Sequence, residues 1–292
     1  MVARLNNLTL LAQIGVGGMS TVWKARRDDG RIVAVKVLNH EFAADGEEVR
    51  QFRAEEKLME ELHHPGIVEA YAFDCDQGYW YYVMEYVDGY SFSELLQRKQ
   101  HVGEADCLLI CESCAAALDY AWNDHGLVHC DLKPENVMIN SSGVVKLLDL
   151  GISHRYEFKD GPVIVPDHVL GTPAYISPEQ VYGDVEPDCR ADVYSLAATL
   201  YHLATGRTLF PGRDNDGIMR AHCDEAVQAR DPRAYRPELS EGFSQLLEAM
   251  LVKNRDFRVA SWADVIEMCQ EVESGVRFKP RSESAVSSLK LL

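Results

Sequence analysis

The sequence of 292 residues lacks any apolar run as long as the roughly 18 residues of a membrane-spanning helix, because charges or prolines interrupt even the richest stretches. We therefore expect no membrane span in this chain. The eight cysteines are scattered, and nothing at the amino terminus resembles a signal peptide. The pattern does not indicate a small disulfide framework, and reduced thiols in a cytoplasmic protein are the expectation.

Positive charge is also scarce. The chain has 29 lysines and arginines against 46 aspartates and glutamates, which gives a formal net charge of −17. Nucleic acids and anionic lipid surfaces bind proteins through basic surfaces that release counterions, so neither is expected as a partner. Solubility explains this charge better than a dedicated role in attracting basic substrates.

Hydrophobic residues make up 47% of the chain and charged residues 26%, the balance of an ordinary globular protein. In the first part of the chain, short β-branched and aromatic runs alternate with glycine-bearing turns and one charged helical stretch. Further along, the apolar spacing becomes helical. The sequence therefore predicts an α+β fold with a small β-rich lobe over residues 1–87, a larger, mainly helical lobe over 88–274, and a flexible tail over 275–292.

A glycine-rich segment between two strand-like runs is the first candidate for chemistry. It reads Gly15-Val16-Gly17-Gly18-Met19-Ser20, and its glycines would let backbone amides approach phosphate oxygens without an intervening side chain. Such a segment is more often a simple turn. Its strand-to-strand context argues against a dinucleotide-binding fold, in which the glycines would lead into a helix.

A lysine interrupts an otherwise apolar strand, at Lys36 in the run Val33–Val37. A charged amine in such a position needs a counter-ion. The charged stretch from Glu47 to Leu62 has an apolar helical face, and one step of that face is taken by Glu55 or Glu56. A glutamate there, for which we select Glu55, would orient the amine onto the α- and β-phosphates of a nucleotide. The same spacing also fits glutamates that simply face water.

Two acidic motifs follow one another in the middle of the chain. The first is His129-Cys130-Asp131-Leu132-Lys133-Pro134-Glu135-Asn136, and the second, after a short hairpin, is Leu147-Leu148-Asp149-Leu150-Gly151. Either motif, when it occurs alone, usually has a structural role and not a catalytic one. In this order, and downstream of Lys36, the two motifs resemble those of the catalytic domain of serine/threonine protein kinases. Within that family, the sequence resembles bacterial kinases of the eukaryotic type. The resemblance covers the chain from about Leu8 to Val259. It implies a bilobal fold, ATP and Mg²⁺ as cofactors, and transfer of the γ-phosphoryl group of ATP to protein hydroxyls.

The resemblance assigns roles to these motifs. Asp131 would accept or orient the substrate hydroxyl, and Lys133 would steady the γ-phosphate. Asn136 and Asp149 would hold magnesium through oxygen ligands suited to a hard cation. The spacing of Lys133 after Asp131 resembles the serine/threonine group rather than the tyrosine group, and Thr172 would hydrogen-bond toward both. The implied partners are ATP and protein substrates with serine or threonine acceptors.

The resemblance also implies a nucleotide site. A hinge at Glu85-Tyr86-Val87 would hydrogen-bond adenine through its backbone, and Met84 would guard a back pocket. The apolar contacts to adenine are the least specific assignments, because such residues occupy cores anyway. Besides Lys36, the residues implied to contact ATP are Ile14, Gly15, Val16, Gly17, Gly18, Ser20, Val22, Ala34, Met84, Glu85 and Val87. Ser20 replaces the third glycine of the family pattern.

Further matches lie away from the nucleotide chemistry. The segment Gly171–Glu179 resembles the end of the activation loop of these kinases. Asp192 resembles an aspartate that braces the catalytic-loop backbone from a buried helix. Arg258 falls where the family keeps an arginine paired with the glutamate at Glu179. A buried pair of this kind is structural, since stranding either charge is strongly destabilising.

Two departures from the family pattern concern regulation. Cys130 stands where most members have an arginine that is held by phosphate on the activation loop. Between Gly151 and Gly171 the hydroxyl-bearing residues are Ser153 and Tyr156 alone. We therefore expect activity that does not depend on loop phosphorylation. For Cys130 itself, a small buried hydrophobe is favoured over a redox-sensitive thiol.

Two other functions fit the sequence less well. A pseudokinase or nucleotide-binding scaffold would be expected to have lost one of Lys36, Asp131 and Asp149, and all three are present. A small-molecule phosphotransferase would lack the Gly171–Glu179 segment and its Arg258 partner. The physiological substrate, the activating signal and the oligomeric state cannot be read from the sequence.

Three cysteines at helical spacing, Cys107, Cys111 and Cys114, invite interpretation as a metal site. Their spacing places them on one side of a helix, and no fourth ligand follows at metal spacing. We expect them to fill a core.

Overall fold

The computed structural model describes residues 4–149, 154–155, 171–183, 186–212 and 214–275. The predictions about Ser153 and Tyr156, and about the tail from residue 276 onward, lie outside these residues. The chain divides into two compact units. The first comprises Met1–Phe92 and Glu135–Ser153, and the second comprises Ser93–Pro134 and His154–Leu292.

The compact units differ from the predicted lobes in two segments, the first of which is residues 88–92, placed in the first unit. The first unit also includes Glu135–Ser153, which the sequence analysis assigned to the second lobe. Backbone hydrogen bonds tie this segment to the first unit, for example from Ser141 N to Asp88 O at 2.9 Å and from Leu147 N to Gly66 O at 2.8 Å. The lobe boundary between residues 87 and 88 stays a prediction.

The strands are mostly short and antiparallel. They are β1 (Arg4–Leu5), β2 (Leu8–Val16), β3 (Ser20–Arg27), β4 (Ile32–Leu38), β5 (Ala70–Asp76), β6 (Tyr79–Glu85), β7 (Gly89–Ser91), β8 (Leu127–Val128), β9 (Val137–Asn140), β10 (Val145–Leu147) and β11 (His154–Arg155).

Most helices lie in the second unit. They are α1 (Gly46–Glu60), α2 (Phe92–Lys99), α3 (Glu104–His125), α4 (Pro178–Tyr182), α5 (Cys189–Thr205), α6 (Asn215–Cys223), α7 (Glu241–Met250) and α8 (Trp262–Glu273). The predicted α+β class, with a β-rich part carrying one helix and a larger helical part, is confirmed.

The main sheet of the first unit has six antiparallel strands in the order β1-β2-β3-β4-β6-β5. Successive side chains in a strand point to opposite faces, so alternate residues build one apolar face. The core on that face consists of Leu5, Leu8, Ala25, Val33, Val35, Val37, Tyr81 and Val83. Directly paired residues share a face, and the register pairs Lys36 with Val22 and Tyr82, and Ala34 with Met84. These five side chains therefore lie on the opposite face of the sheet.

Helix α1 covers part of that opposite face. It starts at the N-cap Asp45, whose side chain accepts a hydrogen bond from Glu47 N at 2.8 Å. Phe52 and Met59 are buried, and the ring of Phe52 packs against that of Tyr82 with centroids 5.1 Å apart. The amphipathic pattern of the sequence thus places one face of α1 against the strand that carries the lysine.

A three-stranded sheet, in the order β10-β9-β7, also belongs to the first unit. Gly89 of β7 pairs with Asn140 of β9. A Cβ atom at Gly89 would lie only 1.9 Å from the carbonyl oxygen of Ile139, so the close approach of the two strands requires glycine here.

The second unit is built around α5, whose residues are almost all buried. A helix that is apolar all round is typical of the centre of a large core. Cys107, Cys111 and Cys114 of α3 are fully buried, and the thiol of Cys269 in α8 contacts that of Cys111. Burial raises the pKa of Cys107 and Cys114 to about 12, so these thiols stay protonated and behave as core filler.

Neither a membrane span nor a metal cluster is found in the described part of the chain. No helix there is both long and apolar enough to cross a bilayer. Those residues also contain no group of three or more histidine, cysteine, aspartate or glutamate side chains that could hold a metal ion.

A buried histidine in the second unit leads to a testable pH dependence. His222 of α6 is fully buried, and its Nδ1 lies 2.8 Å from the hydroxyl of Tyr194. Burial lowers its pKa from 6.5 to about 4. A histidine with a depressed folded pKa stabilises the fold above pH 6.5, and this contribution is lost as the pH falls toward 4. Between pH 6.5 and 4 the free energy of unfolding is expected to fall by about 3 kcal/mol because of His222. In His222→Gln this part of the pH dependence should be absent.

The measurement is denaturant unfolding at several pH values between 4 and 7. His101→Gln, which replaces an exposed histidine of the same unit, serves as the control and should keep the pH dependence of the unmodified protein. An unchanged pH dependence in His222→Gln would contradict the assignment.

Candidate active site

The glycine-rich segment forms the hairpin between β2 and β3, as the strand-to-strand context predicted. The register pairs Gly15 with Val22, and Gly17 N donates to Ser20 O at 2.8 Å across the turn. Val16 and Ile14 are exposed, whereas Ser20 is buried at the start of β3. Gly17 and Gly18 therefore lie at an exposed turn, where a backbone amide that is not used within the turn is accessible to an anion.

Lys36 of β4 holds two carboxylates. Its Nζ lies 2.5 Å from Glu55 Oε1 and 2.8 Å from Asp149 Oδ1. Lys36 and Glu55 are both buried, so the pair is largely removed from solvent. The two carboxylates stem from α1 and from the segment after β10, and the lysine joins these parts of the first unit.

Charge and burial act together on the two buried groups. Burial lowers the pKa of Lys36, but the negative charges of Glu55 and Asp149 outweigh this and raise it overall. The ammonium is therefore charged at neutral pH. Burial raises the pKa of Glu55; the charge of Lys36 opposes this shift, and that of Asp149 adds to it.

The sequence allows two neighbouring glutamates as the contact partner of Lys36, and Glu55 is the predicted one. Both Glu55 and Glu56 are buried, and Glu55 is the one that reaches Lys36. The hydroxyl of Tyr82 donates to the same Glu55 oxygen at 2.5 Å. Sequence reasoning missed Tyr82, because its position opposite Lys36 depends on the pairing of β4 with β6.

The two predicted magnesium ligands stand close along the backbone of the first unit. Asn136 is buried at the end of a short 3₁₀ turn, Pro134–Asn136, and its carbonyl accepts a hydrogen bond from Leu148 N at 2.8 Å. Asp149 follows Leu148 directly. It adopts φ of 50°, a left-handed conformation that aspartate tolerates better than most residues, and its side chain is 46% exposed.

These side chains fit a magnesium ion. Amide and carboxylate oxygens are hard ligands, and Mg²⁺ commonly takes one or two protein ligands together with substrate phosphates and water. A site of this kind does not require the larger acidic or histidine cluster that the described residues lack.

Four of the residues implied to contact adenine or phosphate share the helix-bearing face of the main sheet: Val22, Ala34, Lys36 and Met84. Ile14 lies at an irregularity of the register between Gln13 and Gly15. Glu85 ends β6, and its carboxylate pairs with Lys146 at 2.7 Å. Val87 is buried just beyond that strand. Contact of these residues with a nucleotide stays a prediction.

In the second unit, three side chains of the candidate catalytic loop and its surroundings form a closed hydrogen-bond triangle. Lys133 Nζ lies 2.5 Å from Asp131 Oδ2 and donates to Thr172 Oγ1 at 2.8 Å. The Thr172 hydroxyl donates to Asp131 Oδ1 at 2.6 Å. The carboxylate of Asp131 is thus fixed from two sides, which limits the rotamers it can adopt.

The backbone that carries Asp131 is held by buried groups. Asp192 of α5 accepts hydrogen bonds from His129 N at 2.6 Å and from Cys130 N at 2.9 Å. Burial raises the pKa of Asp192 to about 6, although these N–H donors oppose the shift. Gln180 Nε2 donates to Cys130 O at 2.8 Å. Gln180 was missed by sequence reasoning, and nothing in its local pattern signals this contact.

Cys130 is buried and has φ of 65°, an uncommon conformation for a residue with a side chain. Its carbonyl oxygen lies close to Gly171, which has φ of 123°. A Cβ at Gly171 would lie 3.1 Å from that oxygen. The burial agrees with the expectation of a small buried hydrophobe.

Glu179 and Arg258 form the expected ion pair. Arg258 Nη1 lies 2.6 Å from Glu179 Oε1, and Nη2 lies 3.0 Å from Oε2, so the contact is bidentate. The pair is almost entirely excluded from solvent.

The predicted site residues thus form two groups. Lys36, Glu55, Asn136 and Asp149 belong to the first unit. Asp131 and Lys133 belong to the second. Within each unit the predicted contacts of the lysine and of the catalytic aspartate are present, and the catalytic roles of these residues stay predictions.

Comparison with known proteins agrees with this geometry. Residues 8–271 match the family model described as protein kinase domain. The chain is 35% identical over 271 residues to the serine/threonine-protein kinase PknA of Mycobacterium tuberculosis, which covers 90% of this chain and 61% of the relative. It is 35% identical over 279 residues to a probable serine/threonine-protein kinase of Streptomyces coelicolor, covering 93% of this chain and 40% of the relative.

A third relative is the probable serine/threonine-protein kinase PknB of Bifidobacterium longum, which is 32% identical over 259 residues, covering 85% of this chain and 37% of the relative. The chain therefore spans less than two thirds of the length of each of these three curated relatives.

Proposed function

Because the chain belongs to the protein kinase domain family, we propose that it transfers the γ-phosphoryl group of Mg-ATP to serine or threonine hydroxyls of proteins. The observation that carries the proposal is the hydrogen-bond triangle of Asp131, Lys133 and Thr172. The triangle fixes a carboxylate beside an ammonium group. Phosphoryl transfer uses the carboxylate at the attacking hydroxyl and the ammonium at the phosphate that is attacked. The curated relatives named above, all serine/threonine-protein kinases, support the substrate class.

The roles follow from charge and position. Asp131 orients the acceptor hydroxyl and takes its proton as the new bond to the γ-phosphorus forms and the bond from that phosphorus to the β-phosphate oxygen breaks. Lys133 balances the negative charge of the transferred group. ADP leaves, and the proton passes from Asp131 to solvent.

The first unit supplies the groups that would hold the nucleotide. Lys36 binds the α- and β-phosphates, and Glu55 keeps the ammonium oriented, with Tyr82 holding the same glutamate oxygen. Asn136 and Asp149 would hold the metal ion. When bound, Mg²⁺ neutralises charge on the phosphates and orients them. The adenine lies against the apolar side chains of the sheet and the backbone of residues 85–87.

A catalytically weak scaffold that binds nucleotide is the alternative. The hydrogen-bond triangle of Asp131, Lys133 and Thr172 disfavours it, because nucleotide binding alone does not use these three side chains. The cytoplasm supplies ATP and keeps the thiols reduced, and we propose it as the location.

The test uses purified protein and a generic basic protein as phosphate acceptor. Incubation with Mg²⁺ and γ-labelled ATP is expected to label the acceptor on serine and threonine, and incubation with α-labelled ATP is the matched control, which should leave it unlabelled. ATP-dependent thermal stabilisation without any transfer of γ-label would favour the scaffold. Transfer to tyrosine alone would contradict the substrate class.

Regulation is the second part of the proposal. Cys130 replaces the arginine that would read a loop phosphate, so turnover is expected to be unchanged when the protein is treated with phosphatase before the assay. Intact-mass analysis gives the phosphate content of the same sample. A stoichiometric phosphate on the loop, with activity lost on its removal, would contradict independence from loop phosphorylation.

A further inference from the structure

Two arginines of the second unit converge on one aromatic ring. The guanidinium carbon of Arg207 lies 4.9 Å from the ring centroid of Tyr235, and that of Arg230 lies 4.9 Å from the same centroid. The two guanidinium groups are therefore no farther apart than twice this distance. These three side chains are called the arginine–tyrosine cluster below.

The backbone that presents the cluster is fixed on both sides. The N–H of Arg207 donates to Thr205 Oγ1 at 3.2 Å, and the Thr205 hydroxyl is itself held by donating to Tyr201 O at 2.7 Å. The carbonyl of Arg230 accepts a hydrogen bond from the hydroxyl of Tyr201 at 2.9 Å. Thr205 and Tyr201 both belong to the buried helix α5, so the exposed arginines extend from a rigid base.

The cluster carries two positive charges without a carboxylate partner among the residues that the structure describes. Its neighbours are paired: Arg233 binds Asp231 at 2.7 Å, and Arg236 binds Glu238 at 2.5 Å. In a chain with a formal net charge of −17, two neighbouring guanidinium groups that no described carboxylate contacts are a local excess of positive charge. An anion that binds to both groups relieves their mutual repulsion.

We propose that the arginine–tyrosine cluster binds an oxyanion, a carboxylate or a phosphate, on a peptide segment of a protein partner. Planar guanidinium groups bind either anion with two parallel hydrogen bonds. Stacking on Tyr235 restricts both side chains before binding, which reduces the entropy lost when the anion arrives. A nucleic acid is disfavoured, because it needs many phosphate contacts and this chain is strongly acidic.

The cluster shares no residue with the nucleotide and phosphoryl-transfer groups, so its binding can be measured without reference to catalysis. The probes are three labelled peptides of one length: a glutamate-rich peptide, the same peptide with one phosphothreonine, and a version with glutamine at every glutamate. Fluorescence anisotropy with the full chain gives the dissociation constants. Arg207→Gln and Arg230→Gln are each expected to weaken binding of the anionic peptides about tenfold, as for the loss of one charged hydrogen-bonding group.

Arg233→Gln is the matched control. It removes the same charge from a neighbouring arginine that already has a carboxylate partner, and binding should stay within about twofold of the unmodified protein. Thermal melting of each variant verifies that the exposed substitutions leave the fold intact.

The outcomes separate the possible ligands. Tighter binding of the phosphothreonine peptide identifies phosphate as the preferred anion, and equal or tighter binding of the glutamate peptide identifies carboxylate; both support the proposal. Equal binding of the glutamine peptide, or an equal effect of Arg233→Gln, overturns it. A single-stranded oligonucleotide that binds more tightly than either anionic peptide also overturns it.

Discussion

Replacing Asp149 by asparagine is expected to lower kcat for phosphoryl transfer by at least about 10³-fold, the scale of losing a charge that stabilises the transition state. The substitution keeps the size and shape of the side chain and removes its negative charge. Two interactions then fail together: the carboxylate ligand for magnesium and the ionic contact with Lys36 at 2.8 Å. Transfer of γ-label to a protein acceptor at saturating Mg-ATP measures the effect.

The fold should survive this change. The Asp149 side chain is 46% exposed, and Lys36 keeps its second partner, Glu55. The thermal midpoint is therefore expected to fall by no more than about 4 °C. Asp29→Asn is a matched control in the same unit, because Asp29 is 45% exposed and also faces cationic side chains. It should retain full activity. Activity of Asp149→Asn within tenfold of the unmodified protein would contradict the assignment of Asp149 to the metal.

The pairing of Lys36 shows which contacts can be predicted from the sequence and which cannot. The apolar face of α1 has a glutamate at one of its positions, which predicts that a glutamate of this helix faces inward. Both Glu55 and Glu56 are buried. The choice between them depends on the register between strand and helix, which periodicity does not determine. The same limit hides Tyr82, since its hydroxyl reaches Glu55 only because β6 pairs with β4.

Some contacts of the catalytic loop could be predicted, and others could not. Its contacts with Thr172 and Asp192 could be expected from the family resemblance, because the motifs occur in a known order. Gln180 lies outside those motifs, and its bond to Cys130 O joins residues 50 positions apart. The arginine–tyrosine cluster is hidden for a similar reason: Arg207 is distant in sequence from Arg230 and Tyr235, and only the packing around α5 brings them together.

The placement of Glu135–Ser153 was not predicted either. In chain order this segment follows the helical α3, so a division of the chain by secondary structure assigns it to the helical part. Its strand β9 pairs instead with β7 on one side and with β10 on the other, and Leu147 N donates to Gly66 O. Pairing between strands that are distant in sequence overrides local pattern in such cases.

Replacing Arg258 by methionine is expected to lower the free energy of unfolding by about 3–5 kcal/mol, the usual cost of stranding one member of a buried ion pair. The guanidinium is fully excluded from solvent. It donates to both oxygens of Glu179, and also to the carbonyls of Val252, Arg190 and Lys253. Methionine fills much of the same volume but satisfies none of these acceptors, and it leaves the Glu179 carboxylate buried without its cation.

A double-mutant cycle separates these costs by denaturant unfolding. Glu179→Gln combined with Arg258→Met removes both charges, so the double variant should be destabilised by clearly less than the sum of the two single variants. Arg233→Met is the control, because its pair with Asp231 is about 40% exposed and such pairs contribute about 1 kcal/mol or less. Strict additivity in the cycle would show that the three carbonyl contacts, and not the ion pair, carry the stabilisation by Arg258.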